Sequence, residues 1–225
     1  MRCSKRSRIQ TIRRWFDLPV VDAGVDAGVD VAQHRPAAPD DLTSLLPAAG
    51  KIVLITGASG AGKTTLLRSI RKHNRTQPER RRWIDVPSLR LPNRAVVNCL
   101  LPLEMRQTLA RLSQVGLAEA ALLLRRPARL SEGQRFRLRL AVALCIAQRS
   151  KRPCLLVCDE FAAALDEVTA AVVAQSLRRI VCASTTLGLI VASGREMLSR
   201  SLQPDCTARC DFGRIDITTE ANPRG

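Results

Sequence analysis

The 225-residue chain contains no tyrosine and only two tryptophans, and aromatic residues make up 3% of it. Proteins that bind single-stranded nucleic acid without sequence preference stack the bases on aromatic side chains, so this composition argues against such a stacking surface. The longest apolar runs, such as residues 141–147, fall far short of the ~20 residues that a membrane span requires. We therefore expect another protein to cross the bilayer if this one serves a membrane process.

Metal-ligand patterns and targeting segments are also scarce. The spacing of Cys206 and Cys210 is only loosely that of a metal site, and no second CxxC or His pair accompanies it, so we expect no structural zinc. Residues 1–8 are basic, but no apolar stretch follows them as in a secretory signal. We predict a cytoplasmic protein, with a transit peptide as the alternative.

Positive charge, by contrast, is in excess: 36 Lys and Arg face 20 Asp and Glu, a net charge of +16. Arginine is concentrated in residues 2–14, 68–90 and 125–139. Such charge is typical either of solvated helix faces or of a surface for a polyanion. We favour the first interpretation and keep nucleic acid as a possible partner.

Two regions differ in composition. Residues 1–40 combine the basic N-terminus with a tandem VDAG repeat, for which we predict a flexible linker. Residues 41–225 alternate between strand and helix patterns, which predicts an α/β fold with a mostly parallel sheet covered on both faces. The predicted strands are 51–56, 83–86, 154–158 and 187–192, followed by the pair 207–212 and 213–219. The predicted helices run to about 72, within 100–125, from 131 to 148 and over 165–180.

A glycine-rich loop, Gly57–Thr64 (GASGAGKT), joins the first predicted strand to the first helix. This GxxxxGK[ST] pattern turns backbone N–H groups toward a phosphate, while Lys63 reaches the terminal phosphates and the Thr64 hydroxyl can bind Mg²⁺. The helix dipole acts on the same anion. The loop therefore predicts a nucleotide site.

Two further motifs indicate the kind of nucleotide site. Leu130–Gln134 (LSEGQ) resembles the LSGGQ signature of ATP-binding cassette (ABC) ATPases, and 158–160 (CDE) with 163–166 (AALD) resembles their Walker B end and D-loop. The resemblance covers about residues 50–215. It implies a P-loop NTPase fold with an ABC-type ATPase core in residues 41–225. Only 66 residues separate Lys63 from Leu130, so the helical subdomain is expected to be compact.

A narrower resemblance extends over residues 133–141, 159–161 and 202–205. These segments are similar to a soluble subgroup of ABC ATPases, some of which are fused to a GNAT-type acetyltransferase domain. We expect no room for such a domain in this chain.

The resemblance implies ATP and Mg²⁺ as cofactors and assigns roles to individual residues. Thr64 and Asp159 would place the metal, Glu160 would act as general base, and Lys63 would assist catalysis. Asp166 would touch the partner of a homodimer, or of a dimer with a related ATPase. The loop residues that would hold the phosphates are Gly57, Ala58, Ser59, Gly60, Ala61, Gly62, Lys63, Thr64 and Thr65. The residues that would meet the ATP bound by a second protomer are Ser131, Gly133 and Gln134.

The sequence departs from the family pattern at three places. No histidine follows the D-loop strand, since His34 and His73 both lie upstream. Ser193 or Arg195 could replace this switch histidine, or nothing does. The candidates for an adenine-stacking aromatic are Trp15 and Phe16, and those for the glutamine of the site are Asn98 and Gln107. We expect ATP binding to be retained and turnover to be slow or dependent on a partner.

Four functions remain open from sequence alone. The first is a soluble dimeric ATPase that acts as a motor or regulatory subunit. The second is the energy-coupling ATPase of an ABC transporter, and the third is a nucleic-acid repair or maintenance ATPase. A nucleotide-binding module without hydrolysis is the fourth, if the missing histidine is decisive.

Overall fold

A six-stranded sheet organises residues 42–195 and 197–219, the part of the chain that the computed structural model describes. The strands are β1 (Ile52–Thr56), β2 (Arg82–Asp85), β3 (Cys154–Cys158), β4 (Leu187–Ser193), β5 (Cys206–Asp211) and β6 (Arg214–Thr219). Their order in the sheet is β2-β3-β4-β1-β5-β6. All neighbours pair in parallel except β5 and β6, which form an antiparallel hairpin. This confirms the predicted α/β class, whereas the predicted linker over residues 1–40 lies outside the described residues.

Six α-helices connect and cover the strands in the described ranges. They are α1 (Lys63–Thr76), α2 (Met105–Gln114), α3 (Ala120–Leu123), α4 (Glu132–Gln148), α5 (Glu167–Cys182) and α6 (Met197–Leu202). Short 3-10 turns occupy Thr43–Leu45, Val96–Asn98 and Pro127–Arg129. None of the helices in residues 42–195 and 197–219 combines the length and the hydropathy needed to cross a bilayer.

Side chains that alternate along β1 divide the core into two layers. Ile52 and Leu54 belong to the layer that includes α4 and α5, while Val53 and Ile55 belong to the layer that includes α1. Successive side chains of a strand point to opposite faces, so a central strand covered on both sides is apolar throughout. The consequence is a rigid sheet whose central strand leads directly into the glycine-rich loop.

The helical segment that sequence predicts within 100–125 is broken in two. A turn at Gly116, with φ of +75°, separates α2 from α3. Leu112 and Val115 are buried as their spacing predicts, but Met105 and Leu109 are 61% and 41% exposed. The helical part of the molecule is therefore short, as the small separation of the motifs predicts.

Candidate nucleotide site

The glycines of the loop fit a backbone that other residues cannot adopt. Gly57 has a φ of +143°, and a Cβ there would lie 2.2 Å from the carbonyl oxygen of Cys210 in β5. Gly62 has a φ of +100° and is the N-cap of α1, with no side chain capping the helix. The first backbone N–H groups of a helix lack intrahelical acceptors, so these groups of α1 are available to an anion.

Lys63 extends over the same loop. Its Nζ donates hydrogen bonds to the carbonyl oxygens of Gly57 at 2.8 Å and Ala58 at 2.7 Å. The ammonium charge is thereby held over the start of the glycine-rich loop. Both sources of positive potential face the same short stretch of loop.

Thr64 and Asp159 meet across the end of an intervening strand. The Thr64 hydroxyl donates to Oδ2 of Asp159 at 2.9 Å, although β1 and β3 are separated by β4. The other carboxylate oxygen of Asp159 accepts the backbone N–H of Glu160 at 3.1 Å. The structure thus brings together the two residues predicted to bind metal.

A hydroxyl and a carboxylate are hard oxygen donors that suit Mg²⁺. This ion is commonly held by one or two protein oxygens together with water and substrate phosphates. Within the described ranges no group of three or more His, Cys, Asp or Glu side chains could hold a metal. The donor set at Thr64 and Asp159 therefore fits an ion that arrives with a phosphate ligand.

The turn after Asp159 has an unusual backbone. Glu160 and Ala162 have φ of +51° and +58°, in the left-handed region that costs energy for residues other than glycine. Between them, Phe161 is buried and donates its N–H to the carbonyl oxygen of Ala192 at 2.9 Å. This anchor holds the turn, and the Glu160 side chain stays exposed. Such strain at an exposed acid is typical of functional sites.

The LSEGQ segment begins α4 with a capping box. Gln134 N donates to the Ser131 hydroxyl at 3.2 Å, and Ser131 N donates to the Gln134 side-chain oxygen at 3.0 Å. Gly133 packs so closely that a Cβ would lie 2.7 Å from the carbonyl oxygen of Ala164 and 2.8 Å from Leu165 Cδ2. Within the described part of the chain these residues contact one another and the D-loop, and no hydrogen bond joins them to the loop 57–65.

An aromatic pair adds a second connection between α4 and the acidic turn. The rings of Phe136 and Phe161 lie edge to face, with centroids 5.6 Å apart and an interplanar angle of 81°. This is a favoured arrangement of aromatic rings. The LSEGQ helix and the turn that carries Glu160 therefore form one packed unit.

Asp166 ends the D-loop as the N-cap of α5. Its Oδ1 accepts the backbone N–H of Thr169 at 2.8 Å. The hydrogen bonds from Thr169 lower the pKa of Asp166 from its ordinary value. The carboxylate is exposed, so it combines a capping role with an accessible negative charge.

Both candidates for the missing switch histidine are engaged by the protein. Ser193 ends β4, is 3% exposed, and accepts the N–H of Arg195 through its hydroxyl at 3.2 Å. The Arg195 Nη2 donates to the carbonyl oxygen of Ala163 at 3.4 Å. His73 lies in the last turn of α1, within 2.9 Å of the Gln77 side-chain nitrogen. His34 and the candidate adenine-stacking residues Trp15 and Phe16 lie outside the described residues.

Sequence reasoning missed Asp85, at the carboxyl end of β2. Asp85 lies opposite Val157 of β3 and accepts a hydrogen bond from the Ser88 hydroxyl at 2.9 Å. Burial raises the pKa of the nearby Cys158 thiol, and the charge of Asp85 raises it further. Because parallel strands end at one edge of the sheet, Asp85 shares that edge with Asp159. Of the two glutamine candidates, Asn98 ends a 3-10 turn and Gln107 is exposed on α2.

A cavity of 660 Å³ opens beside the glycine-rich loop. Gly57 and Ala58 line one side, and the β5–β6 hairpin lines the other with Arg209, Asp211 and Asp216. Phe212 follows at the hairpin turn with 63% of its surface exposed. This aromatic residue had no recognisable motif around it in the sequence.

Comparison with known proteins decides the family. A family model described as an AAA ATPase domain matches residues 37–190. The methionine import ATP-binding protein MetN of Cupriavidus necator is 32% identical, over 72% of this chain and 55% of its own length. The chain belongs to the AAA ATPase domain family and is of the ABC type. It spans about half the length of the curated relatives that it matches.

Other relatives of this ABC-type ATPase agree with that assignment. The aliphatic sulfonates import ATP-binding protein SsuB 2 of Pseudomonas savastanoi pv. phaseolicola is 37% identical, over 62% of this chain and 53% of its own length.

Solved structures share the fold. The ATP-binding cassette MJ0796, in a dimeric post-hydrolysis state bound to ADP and Pi, has a TM-score of 0.59 and 20% identity, covering 77% of this chain and 87% of that one. The cbiO1 protein of Clostridium perfringens, part of the ABC transporter complex cbiONQ, has a TM-score of 0.54 and 18% identity, covering 76% and 77%. These likenesses confirm the predicted P-loop NTPase fold with an ABC-type core.

Proposed function

We propose that the chain binds Mg-ATP at the glycine-rich loop and hydrolyses it between two copies of the ATPase. The observation that carries the proposal is the hydrogen bond between Thr64 and Asp159. The next residue, Glu160, has a left-handed backbone and an exposed side chain. A metal-binding pair and a free carboxylate at adjacent positions are what phosphoryl transfer to water requires.

In this proposal the loop binds the phosphates. The N–H groups at the start of α1 lack a side-chain cap and are available to an anion, and the Lys63 ammonium lies at Gly57 and Ala58 of the same loop. Phosphate oxygens would replace the carbonyl oxygens of Gly57 and Ala58 as acceptors for the ammonium. The assignment of residues 57–65 as phosphate ligands rests on this placement of charge and backbone donors.

Thr64 and Asp159 would hold the Mg²⁺, whose charge neutralises the β- and γ-phosphates when it is bound. Glu160 would accept the proton of the attacking water as general base. The exposed side chain of Glu160 is accessible to water. Asp85, at the same edge of the sheet, is a second carboxylate that could position that water.

The signature residues would act on ATP held by a second copy. Ser131 and Gln134 exchange hydrogen bonds at the start of α4. The Ser131 hydroxyl is the acceptor in this pair, so it can still donate its proton to another group. Gly133 holds this helix end against the D-loop of the same chain, where Asp166 is exposed. These groups form one surface that a partner could meet, and a related solved cassette is dimeric.

Phe212 is our candidate for the base of the nucleotide. Among the described aromatics, Phe136 and Phe161 pack on each other, and Trp83 lies on the edge strand β2. Phe212 alone among these is exposed, and its neighbour Asp211 lines the cavity at the loop. An exposed ring can stack on adenine, which would supply the contact missing from the sequence pattern.

The test of this proposal is steady-state phosphate release by the wild type and by Glu160→Gln at saturating Mg-ATP. We expect the substitution to lower kcat by about 10²–10⁴-fold, the usual contribution of a general base. ATP affinity should be retained, and the variant should accumulate an ATP-dependent dimer in size analysis. Lys63→Ala should lose ATP affinity.

The matched control is Glu119→Gln, an exposed acid outside all three motifs, which should leave turnover unchanged. If wild type and Glu160→Gln release phosphate at the same rate, hydrolysis at this site is refuted. If Lys63→Ala binds ATP as well as the wild type does, the nucleotide site itself is wrong.

A second candidate concerns the process that hydrolysis drives. The relatives MetN and SsuB are named as import ATP-binding proteins, and this favours an energy-coupling subunit of a transporter. A motor or regulatory subunit without a membrane partner is the alternative that the sequence motifs favour. Whether the chain is found with membranes in its own host distinguishes the two.

A further inference from the structure

A second cavity lies at the amino-terminal ends of the parallel strands, whereas the nucleotide loop lies at their carboxyl ends. The loop follows the carboxyl end of β1, whereas this cavity is formed where β2 and β3 begin. Since these strands run parallel in one sheet, the two sites face opposite ways. The cavity has a volume of 590 Å³. We call it the basic cleft, and its cationic residues are Arg71, Arg75, Arg80, Arg81, Arg82, Arg149, Lys151 and Arg152.

The backbone around the basic cleft is fixed by buried and local polar contacts. Asn74 is 2% exposed, donates to the carbonyl oxygen of Arg81 at 3.0 Å and accepts its N–H at 3.3 Å. The Ser150 hydroxyl bonds in the same way to the backbone of Arg152. Arg82 N joins the two turns by donating to Pro153 O at 2.8 Å. The two basic turns are therefore held side by side.

The charges of the cleft are not neutralised by the protein. In the described part of the chain, the ion pairs are Lys51 with Asp205 and Arg214 with Asp216, neither of which lies in the cleft. No acidic residue is among its described lining residues. Like charges gathered in a concave site raise the local potential and attract an anion of several charges.

The one aromatic residue in the cleft is already covered. The guanidinium of Arg71 lies 5.9 Å from the ring centroid of Trp83, which is half-buried. That ring face is therefore occupied by a cation and does not offer a platform for a base. A ligand of the cleft would therefore be held through its negative charges rather than by stacking on this ring.

We propose that the basic cleft binds the phosphate backbone of nucleic acid without sequence preference. Eight cations line the cleft, and the Arg81 guanidinium among them donates to the carbonyl oxygens of Leu46 and Pro47. The other seven still exceed what a single phosphate group requires, and they match a chain of successive phosphates. The cleft offers no exposed aliphatic side chain for insertion into a bilayer, so a lipid surface fits it less well. The proposal does not depend on ATP hydrolysis, because the two sites lie at opposite ends of the parallel strands.

The test measures binding of a fluorescently labelled 20-base-pair duplex to the full chain without nucleotide, across a range of KCl concentrations. The test variant combines Arg75→Gln, Arg80→Gln and Lys151→Gln, three exposed cations whose side chains make no hydrogen bond in the described structure. We expect the affinity to fall about tenfold or more. The slope of log K against log salt should become shallower by about 2.7, since each phosphate contact contributes about 0.9.

The control variant removes the same charge elsewhere, with Arg106→Gln, Arg126→Gln and Arg200→Gln, which are exposed and lie outside the cleft. It should keep nearly the same salt slope and lose less than about threefold in affinity, while thermal melting confirms that both variants fold. Equal losses in the two variants would show general charge attraction and overturn the proposal. The proposal would also be overturned if the chain does not bind the duplex. The same holds if the cleft binds anionic phospholipid vesicles and the duplex does not displace them.

Discussion

Two glycines of the nucleotide site are required by contacts with distant parts of the chain. A side chain at Gly57 would collide with the carbonyl oxygen of Cys210, and one at Gly133 would collide with that of Ala164. The first belongs to a motif that the sequence reveals at once. Gly133 has no side chain, and this allows α4 to approach the D-loop closely. Each glycine thus permits a backbone contact that the spacing of the motifs cannot reveal.

Phe212 gives a prediction at the level of one residue. Phe212→Ala should weaken binding of ATP about fivefold or more, since stacking on an aromatic ring is worth ~1–3 kcal/mol per base. Titration with a fluorescent ATP analogue measures the change. Leu124→Ala, which removes another exposed apolar side chain outside the cavity, should not alter affinity. If Phe212→Ala binds ATP as tightly as the wild type does, the Phe212 ring does not contact the nucleotide.

The candidate site was predictable to different degrees. The sequence predicts the loop, Asp159 and Glu160 as site residues because phosphate and metal chemistry fixes their types and spacing. Asp85 and Phe212 were not predictable, since only the strand order places Asp85 beside β3, and only the β5–β6 hairpin carries Phe212 next to Asp211, which lines the cavity. Their neighbours in sequence carry no pattern that marks them.

At the scale of secondary-structure elements, α5 shows the limit of periodicity. The spacing of Val168 and Val172 predicts that both face the core, yet they are 73% and 54% exposed. Ala170 and Ala174 are buried instead. Val173, Leu177 and Val181 are buried beside them, so packing against neighbouring elements turns a different set of valines to the core than the spacing predicts. By contrast, the ends of the strands were predicted within one or two residues, because turn residues and Pro153 flank the strands.

Asp166 gives a prediction about the helix that it caps. Its pKa is lowered in the fold, so ionisation of its carboxylate stabilises the folded state at neutral pH. That contribution is lost as the pH falls from the ordinary pKa of 3.8 through the lower folded value. Asp166→Asn keeps a capping oxygen but removes the charge.

Thermal melting should therefore show the wild type more stable than Asp166→Asn at pH 7. The difference should shrink toward zero as the pH falls below 3.8. Circular dichroism at each pH measures both proteins in the same buffer. A difference that is independent of pH would contradict the role of the charge.

At the scale of the whole molecule, the two proposed binding sites lie at opposite ends of the parallel strands. The nucleotide loop lies at the carboxyl end of β1, and the basic cleft lies where β2 and β3 begin. Opposite placement lets the two sites be occupied together. The net charge of +16 suggested a polyanion without locating it, and the fold gathers a share of that charge in one place.

The coupling role gives the prediction for the whole chain. If it is an energy-coupling subunit, as its import relatives favour, the tagged chain should sediment with membranes of its native host and be released by detergent. Washing with high salt should not release it, because binding to a membrane protein partner is not purely electrostatic. Recovery of all the chain in the supernatant would support the motor or regulatory role instead.

The sequence by itself determined the family and predicted its central chemistry. Three short motifs fix the residue types that a phosphate and a metal need, and these requirements are local in the chain. The tertiary structure decided which distant residues meet: Thr64 with Asp159 across β4, Gly133 with the D-loop, and the cations of the basic cleft. The physical reason is that strand order and the close packing of helices set these contacts, while periodicity along the chain specifies only which face of an element is apolar.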